Sequence, residues 1–313
     1  MDRVLGIDGG GTKTDVALVD RSGRVLRRMR TEGLDPTGES DWETVLDGLA
    51  AEFGPVGHVV LGLPYHGEIA EVSDRQAAVA ARVFGPGAQV LNDVEVAFDG
   101  ALAGEDGVLI LAGTGSMAWA RGPLGMHRVG GWGDLFGDEG SAFWIGREAL
   151  GRVSQALDGR RVDRGFADAL LARIGVAPER LIAWAYGLQP QRAGIAALAA
   201  EVSALAQAEQ EDAVDLMVQA AEHLVRHGLT AARLCGTDAR WSYAGGVMAD
   251  PLVLRALTDR MGVAPTAPVL PPVGGAVLRA AQAAGWDTGA AFVARLNTDL
   301  DQQTAPTAGQ TTG

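Results

Sequence analysis

The sequence predicts an α/β protein made of two related domains that face each other across a central cleft. Three observations carry this. The chain opens on a strand, a glycine turn and a second strand, VLGIDGGGTKTDVALVD over residues 4–20. The same arrangement returns at Gly107-Val108-Leu109-Ile110-Leu111-Ala112, Gly113-Thr114-Gly115-Ser116 and Met117–Arg121. Around both copies, short apolar runs bounded by turn residues alternate with segments whose apolar residues recur at helical spacing.

Taken in order, Val4–Ile7 is a short apolar strand. Thr14–Val19 is a β-branched one with Asp15 as its single polar interruption. Arg24–Arg30 reads as a third, amphipathic strand, and Gly33-Leu34-Asp35-Pro36-Thr37-Gly38 as a loop. A helix over Trp42–Phe53, a strand over Gly57–Leu63, a helix over Asp74–Phe84, a strand over Gln89–Leu91 and a helix over Val94–Ala103 complete a first domain, residues 1–105. Leu124–Val129 is a third strand of the second copy. From Gly140 to about Arg233 the chain is alanine-rich and helical, with Phe143, Leu150, Val153 and Leu157 on one stripe. Trp241–Ala244 is a strand that ends in Gly245-Gly246, Pro251–Met261 is a helix, and another helix runs from Pro271–Gly275 to about Ala284. Residues 106–297 therefore form the second domain with a helical insertion, its last helix able to return to the first. Residues 298–313 are polar and aperiodic and read as a disordered tail.

The balance of 47% hydrophobic and 21% charged residues is that of a soluble globular protein. No uninterrupted apolar run reaches the length of a membrane span, and the N-terminus enters a strand without a signal peptide. A net charge of −13 disfavours nucleic acid as a partner. The single cysteine, Cys235, excludes an intramolecular disulfide and any cysteine-held metal or cluster within one chain, and it fits a reducing cytoplasm.

Three stretches carry chemistry. Asp8-Gly9-Gly10-Gly11-Thr12-Lys13 is the first. Consecutive glycines open backbone angles closed to other residues and bare amides to an anion. Gly6 and Gly11 have P-loop spacing, but Thr12 stands where that loop needs lysine. A strand follows in place of the helix that a P-loop or a dinucleotide fingerprint requires. The second is Leu91-Asn92-Asp93-Val94-Glu95, where a strand end feeds a helix and Asp93 is either a helix N-cap or a base for a substrate hydroxyl. The third is Val129–Ser141, in which five glycines suggest a backbone folded close against a ligand. Asp138 there is a second candidate cap, and Trp132 is a candidate wall for a sugar ring or a core residue.

The motifs GIDGGGTKT, NDVEVA, LAGTGS, GGWGDLFGDEGSAFWIG, AGGV and PPVGGAVLRA, in that order, resemble the N-acetylglucosamine kinase family. That family lies within the superfamily of sugar kinases, actin and heat-shock chaperones and is related to the benzoyl-CoA reductase activator ATPases. The resemblance implies two ribonuclease-H-like (actin/hexokinase-like) domains and an ATP-dependent kinase acting on the 6-hydroxyl of an amino sugar, N-acetylglucosamine first and glucosamine next. It implies Asp93 as the catalytic base and Asp8 as the aspartate that holds Mg²⁺ through water. Gly10, Gly11, Thr12 and Lys13 then form one phosphate turn and Gly113, Thr114, Gly115 and Ser116 the other, with Gly245 and Gly246, joined by Gly274 and Gly275, on the adenosine side. Asp93, Gly131, Trp132, Asp138 and Asp35 are the implied sugar contacts, although Asp35 stands where the family often presents asparagine. The implied cofactors are ATP and Mg²⁺; the partners are ATP and a sugar, with neither nucleic acid nor membrane, and a homodimer as the candidate assembly. Two other readings compete. A reductase activator needs cysteines for an iron–sulfur cluster between two subunits, and one per chain is too few. A non-catalytic sugar sensor or regulatory ATPase would have no use for Asp93.

Overall fold

A computed structural model describes residues 2–11, 13–36, 41–237 and 240–303. Thr12, Thr37 and the expected tail beyond 303 lie outside the described residues. The chain divides into two compact units, one formed by residues 1–105 with 267–313 and the other by 106–266.

In the first unit, β1 (Arg3–Gly9), β2 (Lys13–Asp20), β3 (Val25–Glu32), β4 (His58–Leu63) and β5 (Ala88–Asn92) form one sheet in the order β3-β2-β1-β4-β5. The first three strands run antiparallel, while β4 and β5 join parallel. β1 and β2 are buried almost throughout because both faces of the sheet are covered. Leu5, Ile7, Val16, Leu18 and Leu61 pack on one face with α1 (Trp42–Phe53) and α2 (Ala70–Phe84), through Trp42, Leu46, Leu49, Phe53 and Val79. Val4, Ala17, Val19 and Val60 point the other way, toward α3 (Asp93–Ala101) and two helices from the end of the chain.

Those two helices, numbered α10 (Pro272–Ala283) and α11 (Ala290–Gln302) by their place in the chain, differ from the expectation in both boundary and extent. The sequence reading counts residues 267–297 with the second domain while allowing its last helix to return to the first; Leu270, Val273, Val277, Phe292, Leu296 and Leu300 belong to the core of the first unit. The helix also continues through residues 298–302, which were expected to be tail. Its polar residues are held by tertiary contacts invisible to composition. The Asp299 carboxylate accepts from the Val25 amide at 3.0 Å, and the Arg28 guanidinium donates to the carbonyls of Leu300 (2.6 Å) and Gln303 (2.9 Å). Arg28 is itself fixed by Asp15 at 3.0 and 2.6 Å.

Gly274 and Gly275 are helical and form no turn. A β-carbon on Gly275 would lie 1.9 Å from the Val96 carbonyl oxygen and 2.5 Å from the Gly100 amide nitrogen, so Gly275 lets α10 cross α3 backbone to backbone, while Gly274 packs against Leu270 and Leu300.

The second unit holds a four-stranded sheet of β6 (Gly107–Ala112), β7 (Ser116–Gly122), β8 (Gly125–Gly130) and β9 (Trp241–Ala244), in the order β8-β7-β6-β9. The helices α4 (Ala142–Leu157), α5 (Gly165–Ile174), α6 (Leu181–Tyr186), α7 (Gln191–Gln207), α8 (Glu211–Cys235) and α9 (Pro251–Met261) surround it. Val108, Ile110, Ala118 and Trp241 of the sheet meet Ile145, Val153, Leu216, Leu224 and Leu257 of the helices in a single core, where Cys235 is also buried. No helix among the described residues is long and apolar enough to cross a membrane.

Candidate functional site

The first unit gathers an acidic site at one end of its sheet. Asp8 is the next-to-last residue of β1, opposite Asp15 on β2. The turn that follows is closed by the Gly10 amide donating to the Lys13 carbonyl at 2.9 Å, and Gly10 accepts from the Leu34 amide at 3.0 Å. None of Gly9, Gly10 and Gly11 adopts a left-handed backbone, contrary to the expectation for this run. Space is the constraint instead. A β-carbon on Gly9 would come within 2.8 Å of Leu34 and 2.9 Å of Leu63, and one on Gly11 would lie 3.9 Å from Asp35 Oδ2. Asp35 therefore stands beside the turn.

Asp93 opens α3, but Asn92 is the residue that caps the helix, its Oδ1 accepting from the Val94 amide at 3.0 Å. The side chain of Asn92, buried and aligned at the end of β5, also donates to the His66 carbonyl (2.9 Å) and to Glu68 (3.1 Å). It thus ties the loop after β4 to the start of α3. Asp93 Oδ1 accepts from the Val94 amide at 2.9 Å, and the capping role weighed for it belongs to its neighbour.

Both acids hold their protons tightly. Burial, together with the nearby carboxylates of Asp93 and Asp15, pushes Asp8 up to about 7, with Lys13 easing it. Burial pushes Asp93 up to about 6; the Val94 amide opposes this and Glu68 adds to it. His66 is half-buried and bonded to Gln76 Oε1 at 3.0 Å rather than loose on the surface. Tyr65 beside it has a left-handed backbone, φ 65°.

The second unit builds a turn of its own. Ala112 of β6 and Ser116 of β7 are paired, leaving Gly113, Thr114 and Gly115 as the connection, closed by the Gly113 amide donating to the Gly115 carbonyl at 2.9 Å. The amides of Ala142 and Phe143 at the start of α4 donate to the carbonyls of Gly113 (2.8 Å) and Thr114 (3.3 Å), which turns the carbonyls of the connection inward. Gly245 fits against the base of this turn with φ 95°; a β-carbon there would be 2.3 Å from the Ala112 carbonyl oxygen. Gly246 follows at the start of a 3₁₀ turn over Gly246–Ala249.

The loop between β8 and α4 closes over the same turn. The Gly131 amide donates to the Ser116 carbonyl at 3.0 Å, and the Ser116 hydroxyl donates to the Glu139 carbonyl at 2.8 Å. Asp138 is no cap: Ser141 caps α4, accepting from the Trp144 amide at 3.1 Å. Asp138 has a left-handed backbone, φ 55°, and its buried carboxylate faces the Ser116 amide at 3.4 Å and the Arg192 guanidinium at 2.5 Å. Burial raises its pKa and Arg192 lowers it. Trp132 is 65% exposed, with the Arg128 guanidinium 5.6 Å from its ring centre, so it is no core residue.

The structure thus brings Asp8, Gly10, Gly11, Lys13, Asp35 and Asp93 together in the first unit. In the second it brings together Gly113–Ser116, Gly131, Asp138 and Gly245. Sequence reasoning missed Glu68, Asn92 and Arg192. The N-cap preference of asparagine could have exposed Asn92, while Arg192 sits in an alanine-rich stretch that gives no local signal. Among the described residues no group of three or more histidine, cysteine or acidic side chains could hold a metal ion by itself. The pair Asp8 and Asp93 is nevertheless suited to a hydrated Mg²⁺: two half-buried carboxylates, of which Asp93 raises Asp8, gain from a cation, and Mg²⁺ fills most of its coordination with water and phosphate.

The model of the BadF/BadG/BcrA/BcrD ATPase family matches residues 5–280. An N-acetylmuramic acid/N-acetylglucosamine kinase from Clostridium acetobutylicum is 28% identical over 171 residues, 51% of this chain and 56% of that protein. An N-acetyl-D-glucosamine kinase from Dictyostelium discoideum is 30% identical over 212 residues, 60% of this chain and 65% of that protein. The matched stretch thus spans less than two thirds of either relative. Among solved structures, a candidate N-acetylglucosamine kinase from Chromobacterium violaceum superposes with a TM-score of 0.68 at 25% identity, over 89% of this chain and 98% of that one. A glucokinase of the ROK family from Streptomyces griseus gives 0.60 at 19% identity, over 90% and 99%. The fold is the two-domain α/β fold of these proteins.

Proposed function

The chain belongs to the BadF/BadG/BcrA/BcrD ATPase family, and from that premise we propose that it is an ATP-dependent kinase of an amino sugar. N-acetylglucosamine is the first candidate substrate and glucosamine the second. The observation that carries the reading is Asp93: a half-buried carboxylate at a strand end, beside Asp8 and the first glycine turn, with its pKa lifted to about 6. A base poised near the working pH takes a proton most effectively, and a purely structural acid has no need of that setting.

In the proposed reaction the sugar 6-hydroxyl oxygen forms a bond to the γ-phosphorus, the bond from that phosphorus to the β-phosphate oxygen breaks, and the hydroxyl proton passes to Asp93. Catalysis of this kind is positioning and charge neutralisation. The Gly10–Lys13 turn and the Gly113–Ser116 turn would hold the phosphates by amide donors, with Gly245 and Gly246 beside the nucleoside. Asp35, Gly131, Trp132 and Asp138 would meet the sugar. Asp8 would hold Mg²⁺ through water, which supplies positive charge to the phosphates when bound. A regulatory protein that binds sugar without turnover would leave the costly burial of Asp93 unexplained.

The test is a coupled ADP-release assay with Mg-ATP across N-acetylglucosamine, glucosamine, N-acetylmuramate, N-acetylmannosamine and glucose. Turnover highest on an amino sugar is expected; no turnover on any of them refutes the proposal.

A further inference from the structure

We infer that Arg192 is a further catalytic residue, a cation that contacts the γ-phosphoryl group of the nucleotide from the second unit. The inference rests on the kinase reading above and adds a group that reading lacks.

Arg192 is the second residue of α7, a helix whose N-terminus has no side-chain cap. A cation in the first turn opposes the helix dipole, so helix stability gives no reason for it. Its Nη2 donates to Asp138 Oδ2 at 2.5 Å, and its Nε lies 3.6 Å from Asp134 Oδ1. The ion pair with Asp138 is pressed onto the glycine turn. A β-carbon on Gly115 would lie 2.8 Å from Asp138 Oδ2 and 3.0 Å from Arg192 Nη2. The next residue, Ala193, lines a cavity of about 670 Å³ whose wall also includes Gly113, Thr114, Gly246 and Val247. The guanidinium stands beside the turn at Gly115.

Two observations favour an anion at this place. Arg192 Nε is buried, with no hydrogen-bond acceptor among the described residues, although the side chain as a whole is 41% exposed. The amides of Thr114 and Gly115 likewise donate to no described residue. Amide donors and a guanidinium thus lie beside the same glycine turn, a donor set that matches a phosphoryl group. Asp138, read from the sequence as a sugar contact, anchors the guanidinium through Nη2, and with Asp134 3.6 Å from Nε the remaining Nη1 is left to the ligand. During transfer Arg192 stays protonated and faces the charge that spreads over the phosphoryl oxygens as the bond to ADP breaks.

The full chain is compared with Arg192→Gln and Arg192→Lys. Calorimetric titration gives affinities for Mg-ADP and for a non-hydrolysable Mg-ATP analogue, and the coupled assay gives kcat and KM. Arg192→Gln should weaken the ATP analogue at least tenfold more than ADP and lower kcat about a hundredfold or more. Added guanidinium should restore part of the loss, and the lysine variant should fall between. The inference is overturned if the ratio of the two affinities is unchanged in both variants, or if the loss accompanies a lower melting temperature and guanidinium restores nothing. A wild type that binds nucleotide yet phosphorylates no sugar sinks the sugar-kinase reading, and the affinity ratio still decides Arg192. A wild type that binds neither nucleotide overturns both.

Discussion

Replacing Asp93 with asparagine should make the protein more stable and nearly inactive. Asparagine keeps the volume, and its Oδ1 can accept from the Val94 amide as the carboxylate does at 2.9 Å, while the Asn92 cap is untouched. What the change removes is the cost of ionising a buried acid. The carboxyl titrates at 3.8 in a solvated chain and about 6 in the fold. Below about pH 4 it is protonated in both states and contributes nothing. Between about 4 and 6 the unfolded chain loses its proton while the folded one keeps it, so stability falls as pH rises. Above about 6 both are ionised and the fold carries the full penalty. Two pH units at ~1.36 kcal/mol each give about 3 kcal/mol. Urea unfolding of the wild type and the variant at pH 8, 6 and 4, in EDTA, should show the variant ahead by up to about 3 kcal/mol at pH 8, with the gap closing at pH 4. In the coupled assay at pH 8, kcat should fall about 10²- to 10⁴-fold with a smaller change in the sugar KM. A variant no more stable than the wild type at pH 8, or one that retains kcat, would refute the reasoning from burial to base.

Three further outcomes follow from the geometry. The kcat/KM of the wild type should fall as pH drops through about 7 to 6, because Asp8 and Asp93 titrate there, and excess Mg²⁺ should move the limb to lower pH; a profile flat to pH 4.5 would contradict this. Gly275→Ala puts a methyl group within 1.9 Å of the Val96 carbonyl oxygen, backbone against backbone, and should destabilise the first unit by about 3 kcal/mol or more in denaturant titration. Asp35→Ala should raise the KM for the sugar about tenfold while leaving that for ATP within a factor of about two, since the carboxylate lies beside the first turn without being part of it; equal effects on both would place it with the nucleotide.

Much of the fold is legible locally. The helix Trp42–Phe53 and the strands Gly107–Ala112 and Trp241–Ala244 match the reading to the residue, because their periodicity is bounded by strong turn signals and their burial follows it. The glycine turns were legible as turns, but the reason for their glycines was not: Gly9 and Gly115 are required by neighbours distant in sequence, Leu63 in one case, Asp138 and Arg192 in the other. The caps slipped because Asp93 and Asp138 outrank Asn92 and Ser141 as chemical candidates while being poorer helix starters where they stand. Phe292, Leu296 and Leu300 do recur every four residues, yet a helix ending among Asp, Gln and Thr reads as solvent until Arg28 and Asp299 are seen to fasten it. Arg192 depends on where α7 lies against Gly115, which no local pattern encodes.

The return of residues 267–302 to the first unit bears on how the chain matures. One face of the first sheet is covered by Leu270, Val273, Val277, Phe292, Leu296 and Leu300, all of which follow the whole of the second unit in the chain. During synthesis, Val4, Ala17, Val19 and Val60 must wait for some two hundred residues to emerge before their covering helices exist, whereas residues 106–266 have their entire core in one continuous segment. The second unit can thus complete itself first, and the first unit, begun earlier, finishes last, leaving its apolar sheet face as the surface that nascent chains most need shielded.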